Sequence, residues 1–160
     1  MTESKQMASV EEALRGEPAE SQTFRWEKLA VLYARFALGA AFLSAVSARF
    51  GLWEKTFDLK HFSGFIEYAA QVNSFMPRAT IPAIAWIATV AETSLGILLI
   101  LGLWPRWVSL ASAVLLAMFG TAMAISLGPQ SPMDYSVFSA SGAALLLALI
   151  AFKREGRPSH

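Results

Sequence analysis

Apolar positions along this chain gather into four long runs, Leu29 to Phe50, Ile81 to Leu103, Trp107 to Leu127 and Tyr135 to Phe152, with polar breaks between them. At 1.5 Å rise per residue, about 20 apolar residues cross a bilayer core. Each run therefore predicts one membrane-spanning helix, and together they predict an all-α, integral membrane four-helix antiparallel bundle. The break between the second and third runs is only Trp104-Pro105-Arg106, which leaves room for nothing but an antiparallel hairpin. The break at 128–134, GPQSPMD, is rich in helix breakers and reads as a turn.

The longest break, Gly51 to Arg78, is patterned differently. Phe62, Phe65, Ile66 and Ala69 recur at helical spacing among polar residues. This predicts a short amphipathic helix between the first two spans, lying at the interface or capping the bundle. Trp53, Phe57, Phe62, Phe65 and Tyr68 suit an aromatic belt at the membrane surface. Pro82 falls near the start of the second span, where a helix tolerates proline.

Outside the runs, residues 1–27 form a polar Glu/Ala/Ser-rich leader. Its start is acidic and mixed, without the basic n-region and apolar stretch of a secretory signal. It reads as a disordered cytoplasmic tail, with at most a turn at Val10 to Leu14. Residues 28–152 are the membrane domain and 153–160 a basic cytoplasmic tail. Four spans put both termini on one side. That side carries Lys5, Arg15, Arg25, Lys28, Arg106, Lys153, Arg154 and Arg157, against Arg49, Lys55, Lys60 and Arg78 opposite. The positive-inside rule then places both termini in the cytoplasm.

Composition narrows the chemistry. Hydrophobic residues make up 55% and charged residues 16%, where a soluble domain carries about a quarter charged. A net charge of +1 leaves no electrostatic footprint for nucleic acid. With no cysteine, disulfides, thiolate catalysis, iron–sulfur clusters and cysteine-based zinc sites are excluded. The two histidines are His61 and the terminal His160, which argues against a multi-histidine metal or haem site. No metal and no covalently bound cofactor is expected.

Two charges lie clearly inside the spans, Arg35 and Glu92. An ionisable group at the bilayer centre costs roughly 2.5–3.5 kcal/mol on insertion scales, so such groups usually face the bundle interior and pair. Counted from Leu29 and Leu103, Arg35 sits about 9 Å and Glu92 about 16 Å below the same edge. An extended arginine spans that difference, and an Arg35–Glu92 pair between the first two spans is the expected arrangement. The alternative has Arg35 reaching back to the headgroups, with Glu92 protonated. Arg49, fourteen residues after Arg35, is expected at the outer mouth beside Trp53, Glu54 and Lys55, as an entrance residue or a headgroup anchor. His61 is expected on the surface of the outer helix, which makes Arg49, Trp53 and His61 the candidate mouth residues. Small-residue faces, Ala85/Thr89/Glu92/Gly96, Ser109/Ala113/Gly120/Ala124 and Ser136/Ala140/Ala143/Ala144, are expected to face inward, because spanning helices associate through close backbone approach.

Two segments carry a resemblance. Arg35-Phe-Ala-Leu-Gly39-Ala-Ala-Phe42 resembles the R-x-x-L-G-x-x-F opening of DoxX-like membrane proteins. Glu92-Thr-Ser-Leu-Gly96, continuing through Gly102 and Leu103 to Arg106, resembles that family's E-x-x-x-G-x-x-L-x-x-G-L-x-x-R hairpin. The likeness runs from about residue 28 to 152. One departure is the G-x-x-K element at the end of the first helix, where this chain has Ala45-Val-Ser47-Ala-Arg49: Arg49 stands in for the lysine and the glycine is missing. The resemblance implies a four-helix bundle in the bacterial inner membrane and a link to redox chemistry, since some relatives are membrane subunits of thiosulfate:quinone oxidoreductases.

Three functions follow as alternatives. The first is a quinone-interacting membrane subunit, or partner, of an oxidoreductase, with electrons supplied from outside the chain. The second is a non-enzymatic scaffold or assembly factor for a stress response, and the third a small proton-linked transporter using Glu92. Expected partners are the lipid bilayer and another membrane or oxidoreductase protein, and a homo-oligomer is compatible with the small-residue faces.

Overall fold

In the computed structural model, residue 7 and residues 18–54 and 58–155 are described, except for the side chains of 18–24 and Leu59. The expected turn at Val10 to Leu14, most of the leader, Lys55, Phe57 and the last five residues lie outside these. The chain divides into two compact units, Met1–Tyr33 and Ala34–His160.

Every regular element among the described residues is helical. Helix α1 (Pro18–Arg49) begins in the first unit and ends in the second. It starts well ahead of the expected span at Leu29, because proline is preorganised for the first helical turn and the polar residues that follow it include good helix formers. A 3₁₀ turn, Leu52–Glu54, leads to α2 (Leu59–Val72). The Asp58 side chain caps α2 by accepting from the Lys60 backbone N–H at 2.9 Å. A second 3₁₀ turn, Arg78–Thr80, leads into α3 (Ile81–Leu101), and α4 (Pro105–Leu127), α5 (Gln130–Asp134) and α6 (Val137–Glu155) follow. Four helices, Arg25–Arg49, Arg78–Leu101, Pro105–Leu127 and Val137–Glu155, are long and apolar enough to cross a membrane.

Glycines and small residues set the packing of the second unit. A Cβ on Gly39 of α1 would lie 2.8 Å from the Gly96 carbonyl oxygen of α3, and a Cβ on Gly96 would lie 3.1 Å from that of Gly39. The two backbones touch there, as small residues permit. The expected α3 face is fully buried: Ala85, Thr89, Glu92 and Gly96. Helices α4 and α6 pack most extensively, over Ser109, Ala113, Ala144 and Ala148, with Ser141 Oγ donating to the Ala113 carbonyl at 2.8 Å. A Cβ on Gly120 would meet the Phe138 ring at 2.8 Å. Ser136 departs from its expected inward place. It precedes α6 at φ 54° and is exposed, because the short α5, unforeseen within GPQSPMD, delays the last helix to Val137.

The amphipathic α2 lies across one end of α3 and α4. Its buried Phe62 stacks on Phe50 with ring centroids 5.4 Å apart and meets Trp86 at 4.3 Å. We call this the α2 end. At the opposite, hairpin end, α3 stops at Gly102 (φ 75°), whose N–H donates to the Leu98 carbonyl at 2.8 Å. There Arg106 at the start of α4 pairs with Glu155 at the end of α6. Its guanidinium also lies 5.9 Å from the Phe152 ring centroid.

Candidate functional site

Glu92 projects from the small-residue face of α3 and is 2% exposed. Its partner is Arg49, the last residue of α1. Arg49 Nη2 donates to both carboxylate oxygens, at 2.6 and 2.8 Å. Arg49 Nη1 donates to Thr89 Oγ1 at 2.9 Å. The Thr89 hydroxyl spends its own hydrogen on the Ala85 carbonyl at 2.8 Å, which leaves its lone pairs for the arginine. The Phe65 ring of α2 covers the guanidinium, with Arg49 Cζ 3.8 Å from the centroid. Such a contact strengthens when desolvated. Two spanning helices and the aromatic lid supplied by α2 thus converge on one charge-assisted pair, the geometry a buried pair needs to offset its desolvation.

The expected Arg35–Glu92 pair is not formed. Arg35 Nε donates instead to the Leu99 carbonyl at 2.9 Å, and Nη2 to that of Ile100 at 3.4 Å. These are among the last carbonyls of α3, which have no partner within the helix, and a cation is favoured at a helix C-terminus. The levels of Arg35 and Glu92 are not set by Leu29 and Leu103, because the register of α1 against α3 follows from the Gly39–Gly96 contact. From that contact Arg35 lies four residues toward the hairpin end and Glu92 four residues away from it, a gap of about 12 Å. Arg49 lies only about 9 Å from the Glu92 level, on the other side.

Of the expected mouth residues, Arg49 therefore turns inward and the other two do not follow it. Trp53 is exposed, with its indole N–H donating to the Ser44 carbonyl at 3.3 Å. His61 Nε2 lies 3.1 Å from Glu54 Oε2 at the surface of α2, and its Nδ1 is buried without a partner. In the sequence Arg49 is marked by its place at the outer end of the first span, fourteen residues after Arg35. Thr89, which holds its Nη1, reads in the sequence as one of the small packing residues of the second span.

Cavities flank the pair. A chamber of about 100 Å³ under α2 is bounded by Arg49, Phe65, Tyr68, Asn73 and Phe119. It shares Val72, Asn73, Ile84, Ala88 and Phe119 with a furrow of about 690 Å³ along the seam between α3 and α4. That furrow continues through Ala91, Val114, Leu115 and Met118 into a second apolar stretch of about 450 Å³ that ends near Trp107. Burial, and after it the neighbouring Tyr135, raises the pKa of the Tyr68 phenol above its ordinary value. Among the described residues no three of His, Cys, Asp and Glu are grouped to hold a metal ion.

A largely apolar chamber, with Arg49, Tyr68 and Asn73 on its wall, thus opens into an apolar furrow lined by membrane-spanning helices. The family model described as DoxX matches residues 30–126, which contain the whole Arg49–Thr89–Glu92 cluster. No curated protein and no solved structure matches the chain.

Proposed function

Because the chain belongs to the DoxX family, we propose that it is a quinone-binding membrane subunit acting with an oxidoreductase partner, in the bacterial inner membrane with both termini in the cytoplasm. One observation carries this reading. The apolar furrow between α3 and α4 ends on a small chamber where Arg49, Tyr68 and Asn73 bring hydrogen-bonding groups among the rings of Phe65 and Phe119. A quinone has the matching form, a flat ring with carbonyls on opposite edges and a long isoprenoid tail. A dry cavity of about 150 Å³ accepts a benzene-sized ring, so the chamber with the adjoining stretch of furrow has room for the head. Arg49 arrives already neutralised by Glu92, which favours an uncharged, carbonyl-bearing head over an anion. Electrons come from the partner, since the sequence holds no cysteine and one internal histidine for a haem or cluster.

The test is a titration of the purified full chain in nanodiscs with a short-tailed ubiquinone or menaquinone analogue, read by tryptophan quenching. Saturable binding is expected, weakened at least about tenfold, or 1.4 kcal/mol, by Ala88→Phe, which fills the junction of chamber and furrow. Absence of saturable binding and of co-purifying quinone, with a stably bound partner protein, would overturn the quinone reading in favour of a scaffold.

A further inference from the structure

A second chamber reaches the same ion pair from the opposite flank. It measures about 210 Å³ and is walled by α1 (Leu38, Ala41, Phe42 and Ala45), α4 (Leu116 and Phe119) and the start of α6 (Val137 and Ala140). Arg49 and Phe119 border both chambers, so they form the partition between them. Glu92 borders only this one. Its other polar group is Tyr135, which is 72% exposed at the α2 end. A buried water needs two to four polar partners and about one probe sphere of room. Arg49, Glu92 and Tyr135 supply the partners, and the volume exceeds the need several times over.

We propose that this chamber is a hydrated vestibule, open beside Tyr135 to the aqueous phase at the α2 end, that brings water and the protons it carries to Glu92. Proton exchange there is balanced simply: hydronium gives its proton to the carboxylate, leaving a carboxylic acid and water. The groups facing Glu92 are few. Arg49 comes from α1 and Tyr135 from the link between α5 and α6, while α4 and the start of α6 present only apolar residues. Tyr68 of α2 borders the other chamber. The two flanks of the pair then differ in kind, one facing hydrocarbon and the other water. The vestibule goes beyond the quinone reading and does not depend on it.

The cysteine-free sequence makes the test clean. Ala140→Cys places a single thiol on the vestibule wall, Ala45→Cys repeats it from the facing helix, and Ala91→Cys places one in the furrow. Each full-length variant in nanodiscs is treated with a charged, membrane-impermeant methanethiosulfonate and, separately, with an uncharged lipophilic maleimide. Because the thiolate is the reactive species and apolar surroundings suppress it, the vestibule thiols should react with the charged reagent at least about tenfold faster than the furrow thiol. Reaction of the vestibule thiols with the maleimide alone would overturn the proposal by showing a hydrocarbon-filled seam. Either vestibule variant decides the matter if the other does not fold, and quinone titration of the native chain reports separately on the furrow.

Discussion

Gly39 and Gly96 meet backbone to backbone, each standing where the other's side chain would have to go. This contact sets the register of α1 against α3 and so decides which arginine reaches Glu92.

Substitution at that crossing should be costly. The carbonyl facing each new Cβ belongs to a helix and cannot swing aside as a side chain tip can. Gly39→Ala is expected to cost about 1–3 kcal/mol through overpacking, and Gly39→Leu to abolish a monodisperse product in detergent. Thermal unfolding followed by size-exclusion fluorescence checks this, and a native-like profile for Gly39→Leu would contradict the crossing.

Breaking the buried pair from either side should hurt more than removing both partners. Arg49→Met leaves an uncompensated carboxylate and Glu92→Gln an uncompensated guanidinium, each at about 3–5 kcal/mol. The double variant should lose clearly less than the sum, and a thermodynamic cycle over the four proteins measures the coupling. Arg49→Lys keeps the charge but cannot fork to the carboxylate and Thr89 together, so it should fall between native and Arg49→Met.

At the hairpin end, a Cβ on Gly102 would overlap the Arg35 guanidinium. Gly102 also adopts φ 75°, where a side chain is strained. Gly102→Ala should therefore be destabilising for two reasons. Only one of them survives in an Arg35→Met background, so the alanine should cost less there than in the native chain. Equal losses in both backgrounds would show that Arg35 does not occupy that space.

Tyr68 offers a readout in alkaline solution. Burial, with Tyr135 second, holds its phenol pKa above its ordinary value. The sign follows directly: the stabilisation of the neutral phenol is fully present below the unfolded pKa and is lost as pH rises through the higher folded one. Absorbance titration at the tyrosinate band should show a late-ionising phenol that disappears in Tyr68→Phe. An alkaline titration whose latest component survives in Tyr68→Phe would refute this placement.

Hydrophobic periodicity made much of this legible. The spans, the amphipathic α2 with its Phe62, Phe65, Ile66 and Ala69 face, and the inward position of Glu92 each follow from residues a few positions apart. The partner of Glu92 was not legible, because it depends on how two distant segments slide past one another. Arg49 has a stem long enough to reach either headgroups or the interior, and nothing beside it in the chain chooses. Phe65 and Thr89, whose periodicity reads as packing, make the choice by offering a ring face and a hydroxyl oxygen. The short α5 stayed hidden because Gly128, Pro129 and Pro132 read as breakers, although a proline near a helix start suits a single turn.

The ion pair joins the end of the first span to the middle of the second, and this bears on how the chain is made. Synthesis runs from the N-terminus, so Arg49 leaves the ribosome forty-three residues before Glu92. Glu92 gives α3 a penalty on entering lipid, and α3 enters when the counter-charge already stands at the membrane. Partition of α3 into the bilayer is thereby coupled to the earlier helix, and a chain that lacked Arg49 would be impaired at insertion, before any question of catalysis arose.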